Sequence, residues 1–110
     1  MVADIGTDHG HLATRLAARK DVQHVYATDV SPHAAAHRNF KRLPGALQSK
    51  LSLLTGDGLT PLEQAGLGQG QGRLGACHTL VLSGMGVRTL FEILCGAAGQ
   101  GKQVCMYVCV

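Results

Sequence analysis

The stretch Val2-Ala3-Asp4-Ile5-Gly6-Thr7-Asp8-His9-Gly10 decides how the rest of the chain is read. Met1–Ile5 is a short apolar run that leads straight into a turn of Gly and Asp. A helical pattern follows at once. From His11 to Lys20 the apolar Leu12, Leu16 and Ala17 recur at helical spacing, with Arg15, Arg19 and Lys20 on the other side or at the end. Cations there complement the negative pole of a helix. A strand, a Gly-bearing turn and a helix in this order predict an α/β domain.

Working outward, His24–Thr28 reads as a second strand closed by Asp29. Ser31-Pro32 suits a helix start, with Ser31 as N-cap and Pro32 at the first helical position. That helix runs His33–Arg42 and stops before Pro44-Gly45. Leu51–Leu54 is a third strand ending at Gly56-Asp57-Gly58, and Thr60-Pro61 opens a short helix through Ala65. Gly66–Gly75 holds five glycines in ten residues and reads as a flexible loop. Thr79–Leu82 is a fourth strand followed by Gly84-Met85-Gly86. Val87–Cys95 is helical, with Leu90, Ile93 and Leu94 on one face, and Gly96–Gly101 breaks it. Val104–Val110 is a last β-prone run. The expected architecture is a doubly wound, mostly parallel sheet with helices on both faces, since its strands are unbroken apolar runs.

Composition narrows the class. The chain has 110 residues, 45% hydrophobic, with a net charge of +3, which fits one domain and is too apolar for disorder. No apolar run reaches the roughly 18 residues of a membrane span. Four cysteines, Cys77, Cys95, Cys105 and Cys109, form no C-x-x-C pair and read as buried free thiols in a reducing compartment. Met1 is followed by Val2, Ala3 and an acid, which is unlike a signal peptide. A cytoplasmic protein is expected, or an organellar one if a transit peptide precedes this sequence.

In a doubly wound sheet, ligands bind beyond the C-terminal ends of the strands. Here Asp4, Asp29 and Asp57 each stand at such an end, beside Gly6, Gly10 and Gly58. A lone Asp at a strand end is more often a turn or cap residue; three, each after a strand, outline a nucleoside pocket. Asp29 suits a ribose diol and Asp57 an adenine amine, since a carboxylate accepts two donors at once. The first turn departs from G-x-G-x-x-G, with Asp8 where the middle Gly would stand. Asp8 repels a pyrophosphate, so a cationic or zwitterionic ligand fits better. S-adenosylmethionine is one, with a sulfonium and an ammonium that would pair with Asp4 or Asp8.

Val2 to Gly10, then Thr28-Asp29-Val30, Gly56-Asp57-Gly58-Leu59 and Ser83-Gly84-Met85-Gly86 resemble the bacterial tRNA (adenine-22 N1)-methyltransferase family, over residues 2 to about 95. The resemblance implies a Rossmann-like class I methyltransferase domain using S-adenosylmethionine, with tRNA as partner and N1 of an adenosine as acceptor. It implies that Asp4, Gly6, Asp8, His9 and Gly10 surround the methionine part of the cofactor. Asp29 would hold the ribose with Val30 beside the adenine, and Asp57 and Gly58 would meet the adenine edge. Ser83, Gly84, Met85 and Gly86 would line the floor where methyl meets base. The sequence departs from the family at Val87, where a further Gly is usual. It also lacks the family's preceding helix, later strands and helical C-terminal domain, so it reads as truncated at both ends, with Gln100–Val110 a divergent tail.

Attack by a neutral ring nitrogen needs no strong base, so alignment and exclusion of water carry the expected chemistry. Asp8 or His9 would help remove the later proton, and Met85 and Gly86 would shape the transfer site. The six His form no metal-ligand set beyond the i, i+4 pair His33/His37, and no metal is expected. Arg38, Lys41, Arg42 and Lys50 read first as a solvated face and second as a phosphate contact. Two other readings stand beside the tRNA enzyme: a class I methyltransferase with another acceptor, or a non-catalytic cofactor-binding fragment.

Overall fold

The computed structural model describes residues 1–31, 34–65, 79–82, 87–98 and 103–106. Five strands, β1 (Val2–Ile5), β2 (Val25–Asp29), β3 (Leu51–Thr55), β4 (Thr79–Leu82) and β5 (Gln103–Met106), form one sheet in the order β3-β2-β1-β4-β5. Every pairing is parallel. The helices are α1 (His11–Ala17), α2 (Ala34–Lys41), α3 (Gly45–Gln48), α4 (Thr60–Gln64) and α5 (Val87–Ala98). The order reverses between β1 and its two neighbours, so β1 lies at the topological switch point.

Strand alternation sorts the core into two layers. Ala3 and Ile5 of β1 point to one face, where they pack with Tyr26, Leu62, Leu80, Leu82 and Ile93. Leu62 of α4 and Ile93 of α5 belong to this cluster, so these helices cover that face. The other face is covered by Ala13 and Ala17 of α1 and Phe40 of α2, packed on Val25 and Ala27. Small Ala residues let α1 approach the sheet closely. Full burial of Leu62, Leu80 and Leu82 contributes about 2 kcal/mol each.

Several boundaries differ from the sequence reading. The helix expected over His11–Lys20 ends at Ala17, and Asp21 instead holds Arg19 through paired bonds of 2.9 and 2.7 Å beyond it. Pro44 was expected only to stop a helix, yet it precedes α3, where its carbonyl accepts from Leu47 and Gln48 N–H. The break expected at Gly96 does not occur, as α5 continues to Ala98. The tail does supply a strand: β5 pairs with β4 from Thr79↔Gln103 to Leu82↔Met106, in the place of a fifth strand. Cys95 is exposed on α5 rather than buried. The loop at Gly66–Gly75 and the Ser31-Pro32 helix start fall on or beside residues outside the described set.

Candidate functional site

Among the described residues, the turn after β1 is the most heavily bonded part of the C-terminal edge. Thr28 carbonyl oxygen accepts from both Gly6 and Thr7 N–H, at 2.8 and 2.9 Å, so the turn is tied to β2 as soon as β1 ends. Asp8 takes a positive φ of 52°, the conformation a middle Gly would adopt and one that Asp tolerates better than most residues. Its N–H donates to Asp29 Oδ2 at 3.1 Å. His9 carbonyl accepts from the Asn39 amide at 2.9 Å, which joins the turn to α2. Gly10 lies at φ 79°, and a Cβ there would sit 2.5 Å from the Phe40 ring. Gly10 is therefore needed for close packing of α1 on α2.

Asp4 is fully buried at the foot of this turn. Alternation places it on the α1 side of β1, with Val2. The Thr7 hydroxyl donates to its Oδ2 at 2.9 Å, and among the described residues Oδ1 has no partner. Burial pushes its pKa from 3.8 up to about 6, against the opposing pull of the Thr7 hydroxyl and the Ala13 backbone N–H. Asp29 adds to the rise because its own negative charge is close. Gly10, at the start of α1, makes no side-chain cap. Asp4 beneath Ala13 supplies the missing negative charge at that helix end.

Asp29 stands half-buried at the end of β2 with both oxygens engaged, Oδ2 by Asp8 N–H and Oδ1 by Val30 N–H at 2.7 Å. Val30, beside it, is 66% exposed, an apolar surface at the site's rim. One strand further, Gly56 N–H donates to Asp29 carbonyl oxygen at 2.8 Å, which sets the Gly56-Asp57-Gly58 turn against the end of β2. The Asp57 carboxylate is exposed there. It borders a cavity of about 220 Å³ lined by Thr60, Glu63, Thr89, Glu92 and Ile93 from α4 and α5.

The structure thus joins Asp4, Gly6, Asp8, Gly10 and Asp29 in one patch and sets Asp57 and Gly58 next to it. Asp8 and His9 form an exposed pair, Oδ2 to Nδ1 2.9 Å, and His9 stacks on His11 at 5.9 Å. Ser83, Gly84, Met85 and Gly86 lie outside the described residues. Thr7, Thr28 and Asn39 escaped the sequence reading although they hold the first turn together. For Thr7 a signal existed, a hydroxyl three residues after a strand-end acid; for Asn39, thirty residues from His9, none did. Among the described residues no group of His, Cys, Asp or Glu could hold a metal, and no helix is long and apolar enough to cross a membrane.

A parallel sheet of this order, with its switch in strand order at β1, defines a Rossmann-like domain. More narrowly, the chain belongs to the family described as methyltransferase domain, which it matches over residues 1–109. A 63-residue stretch is 43% identical to the release factor glutamine methyltransferase of Moorella thermoacetica, covering 56% of this chain and 22% of that protein. The fold is similar to that of a Streptococcus pneumoniae protein assigned as a tRNA (m1A22) methyltransferase, with TM-score 0.71 and 22% identity, over 98% of this chain and 45% of that one. It is also similar to precorrin-8w decarboxylase of Methanobacterium thermoautotrophicum, with TM-score 0.65 and 25% identity, over 96% and 52% of the two chains. The chain spans about a fifth of the curated relative and about half of these solved structures.

Methyltransferase domains of this family generally use S-adenosylmethionine, and the donor set here fits it. Asp29 and Asp57 offer carboxylate acceptors at neighbouring strand ends, beside an exposed apolar side chain. The buried Asp4, with one oxygen unpartnered among the described residues, would be compensated by a positive charge brought against the turn above it. That combination suits a nucleoside carrying cationic groups better than one carrying phosphates.

Proposed function

We propose that this chain binds S-adenosylmethionine at the C-terminal edge of β1, β2 and β3 and serves methyl transfer to N1 of an adenosine in tRNA. The observation that carries the cofactor half is the Asp8–Asp29 link, which holds the turn after β1 and the acid ending β2 as one acceptor surface. The acceptor half is supported by the sequence resemblance, above all Val2–Gly10 and Ser83-Gly84-Met85-Gly86. When bound, S-adenosylmethionine supplies an electrophilic methyl group on a positive sulfonium.

The chain's own residues have four tasks in this reading. Asp29 accepts from the ribose hydroxyls, and Asp57 accepts from the adenine amine. Asp4 and Asp8 hold negative charge around the methionine ammonium and the sulfonium. Transfer moves the positive charge from sulfur to the adenine ring, and the exposed Asp8–His9 pair accepts a proton when that cation gives one up and passes it to water. Gly84, Met85 and Gly86 align the base and exclude water, as the sequence resemblance implies.

Calorimetric titration with S-adenosylmethionine and, separately, NAD tests the cofactor half. Binding of the former, weakened about tenfold or more in Asp29→Ala, is the expected result; a folded chain that ignores it or prefers NAD overturns the reading. The acceptor half is tested by methyl incorporation into a tRNA transcript, followed by mapping of reverse-transcription stops, because an N1-methyl blocks the pairing edge. Stable incorporation at any other atom breaks it. The glutamine methyltransferase match favours a second reading, transfer to a protein amide. Labelling of a release factor with none of tRNA would decide for it.

A further inference from the structure

We infer that the outer surface of the α1–α2 layer is a docking face for the phosphate backbone of RNA, an inference that rests on the reading of an RNA acceptor given above. Seven of the chain's ten Lys and Arg fall within its first 50 residues. On α2, Ala36 and Phe40 point to the core, while Arg38 and Lys41, with Arg42 just after, are exposed on the opposite side. On α1, Ala13 and Ala17 are buried, and Arg15 faces solvent. Both helices cover the same face of the sheet, so these cations share one surface.

Among the described residues, none of Arg15, Arg38, Lys41 and Arg42 has an ion pair. The only carboxylate in a described pair with a cation of this layer is Asp21, held by Arg19. Among the described residues the opposite side of the sheet carries the reverse sign, with Asp57, Glu63 and Glu92, while its Arg88 is paired to Glu92 at 3.3 Å. The helix dipole does not account for the excess. A helix C-terminus carries about half an elementary negative charge, and α2 alone brings three cations to it.

The partner is a phosphate backbone because of what this face lacks. Among the described residues the exposed large apolar side chains are Val30 and Phe91, neither on α1 or α2, so the described part of the layer has no apolar wedge for a lipid interface. The described residues of α1 and α2 also include no exposed Phe, Tyr or Trp on which unstacked bases would lie. What remains is sequence-independent charge contact, which positions an RNA without reading it. The face is continuous with the site, because His9 and His11 lead from the Gly6–Gly10 turn into α1 and Asn39 ties α2 to that turn.

The test is fluorescence anisotropy of the full chain with labelled tRNA over a salt series, comparing the wild type with Arg38→Gln/Lys41→Gln/Arg42→Gln. Circular dichroism melting and calorimetry with S-adenosylmethionine run alongside, since none of these side chains touches the core or the cofactor edge. The triple variant is expected to lose about tenfold or more in tRNA affinity, and its log K against log [salt] slope should fall by about 2 to 3. Arg88→Gln, on the other layer, should leave both unchanged. Unchanged affinity and slope in a folded triple variant overturn the inference, whatever the methylation assay shows. So does a wild type that binds phosphatidylserine vesicles but not tRNA. Salt-dependent tRNA binding lost in the triple variant, with no methyl incorporation by the wild type, upholds this face and breaks only the functional reading it rests on.

Discussion

The turns after β1 and β3 are both built from Gly and Asp, yet they stand in opposite states. In the first, Asp4 is buried and Asp29, which braces it, bonds two backbone amides. Gly10 is wedged beneath Phe40. In the second, Asp57 projects its carboxylate into solvent beside a cavity. Residues of the first turn therefore hold the fold as well as the candidate site, whereas in the proposed reading the Asp57 side chain would serve a ligand alone. Substitutions should expose that division as a difference between stability and binding.

The largest effect is expected from Gly10→Ala. The new methyl overlaps the Phe40 ring, and the left-handed backbone disfavours any side chain, so the chain should lose about 3 kcal/mol in denaturant unfolding. Phe40→Leu in that background should recover part of the loss, and no recovery would show that the packing argument is wrong. Asp4→Asn comes next, and its effect depends on pH. The folded-state pKa of Asp4, about 6, lies above the ordinary 3.8. Its protonated form thus favours the folded state at low pH, and that contribution is lost as pH rises through 6. Between pH 4 and pH 7 the Asn variant should gain about 2 kcal/mol relative to the wild type, read from unfolding curves at both values. A constant difference would mean that Asp4 titrates normally.

Asp29→Ala should cost about 1–2 kcal/mol, because two amides lose a charged acceptor, and should weaken S-adenosylmethionine binding as well. Asp57→Ala should leave stability within about 0.5 kcal/mol and weaken only the cofactor, which calorimetry and melting would separate. If Asp57→Ala instead lowers stability as much as Asp29→Ala, the two turns are not divided in this way.

Much of this architecture was legible in the residues. Thr79–Leu82 falls on β4 residue for residue, and Asp29 ends β2, because buried parallel strands are unbroken apolar runs closed by polar turns. Pro44 misled because proline stops one helix and opens another equally well, and the single turn of α3 is too short to show a period. Gly96 misled for the opposite reason. A glycine inside a helix costs only about 1 kcal/mol, which the packing of Leu90 and Ile93 offsets. In the site, the acids could be found by position, but their states could not. Nothing local says that Asp4 is buried; that follows from Val2 and Asp4 sharing the face that α1 covers. Nor does a sequence reveal that Asn39 reaches back to His9.

If Asp29 holds the cofactor as proposed, the bond from Asp8 N–H to Asp29 Oδ2 also makes this molecule its own indicator. A hydroxyl arriving at Asp29 competes for the same oxygen, so the Asp8 amide proton would move upfield and exchange faster on ligand arrival. A single resonance from a backbone position would then report occupancy, leaving the cofactor itself unlabelled.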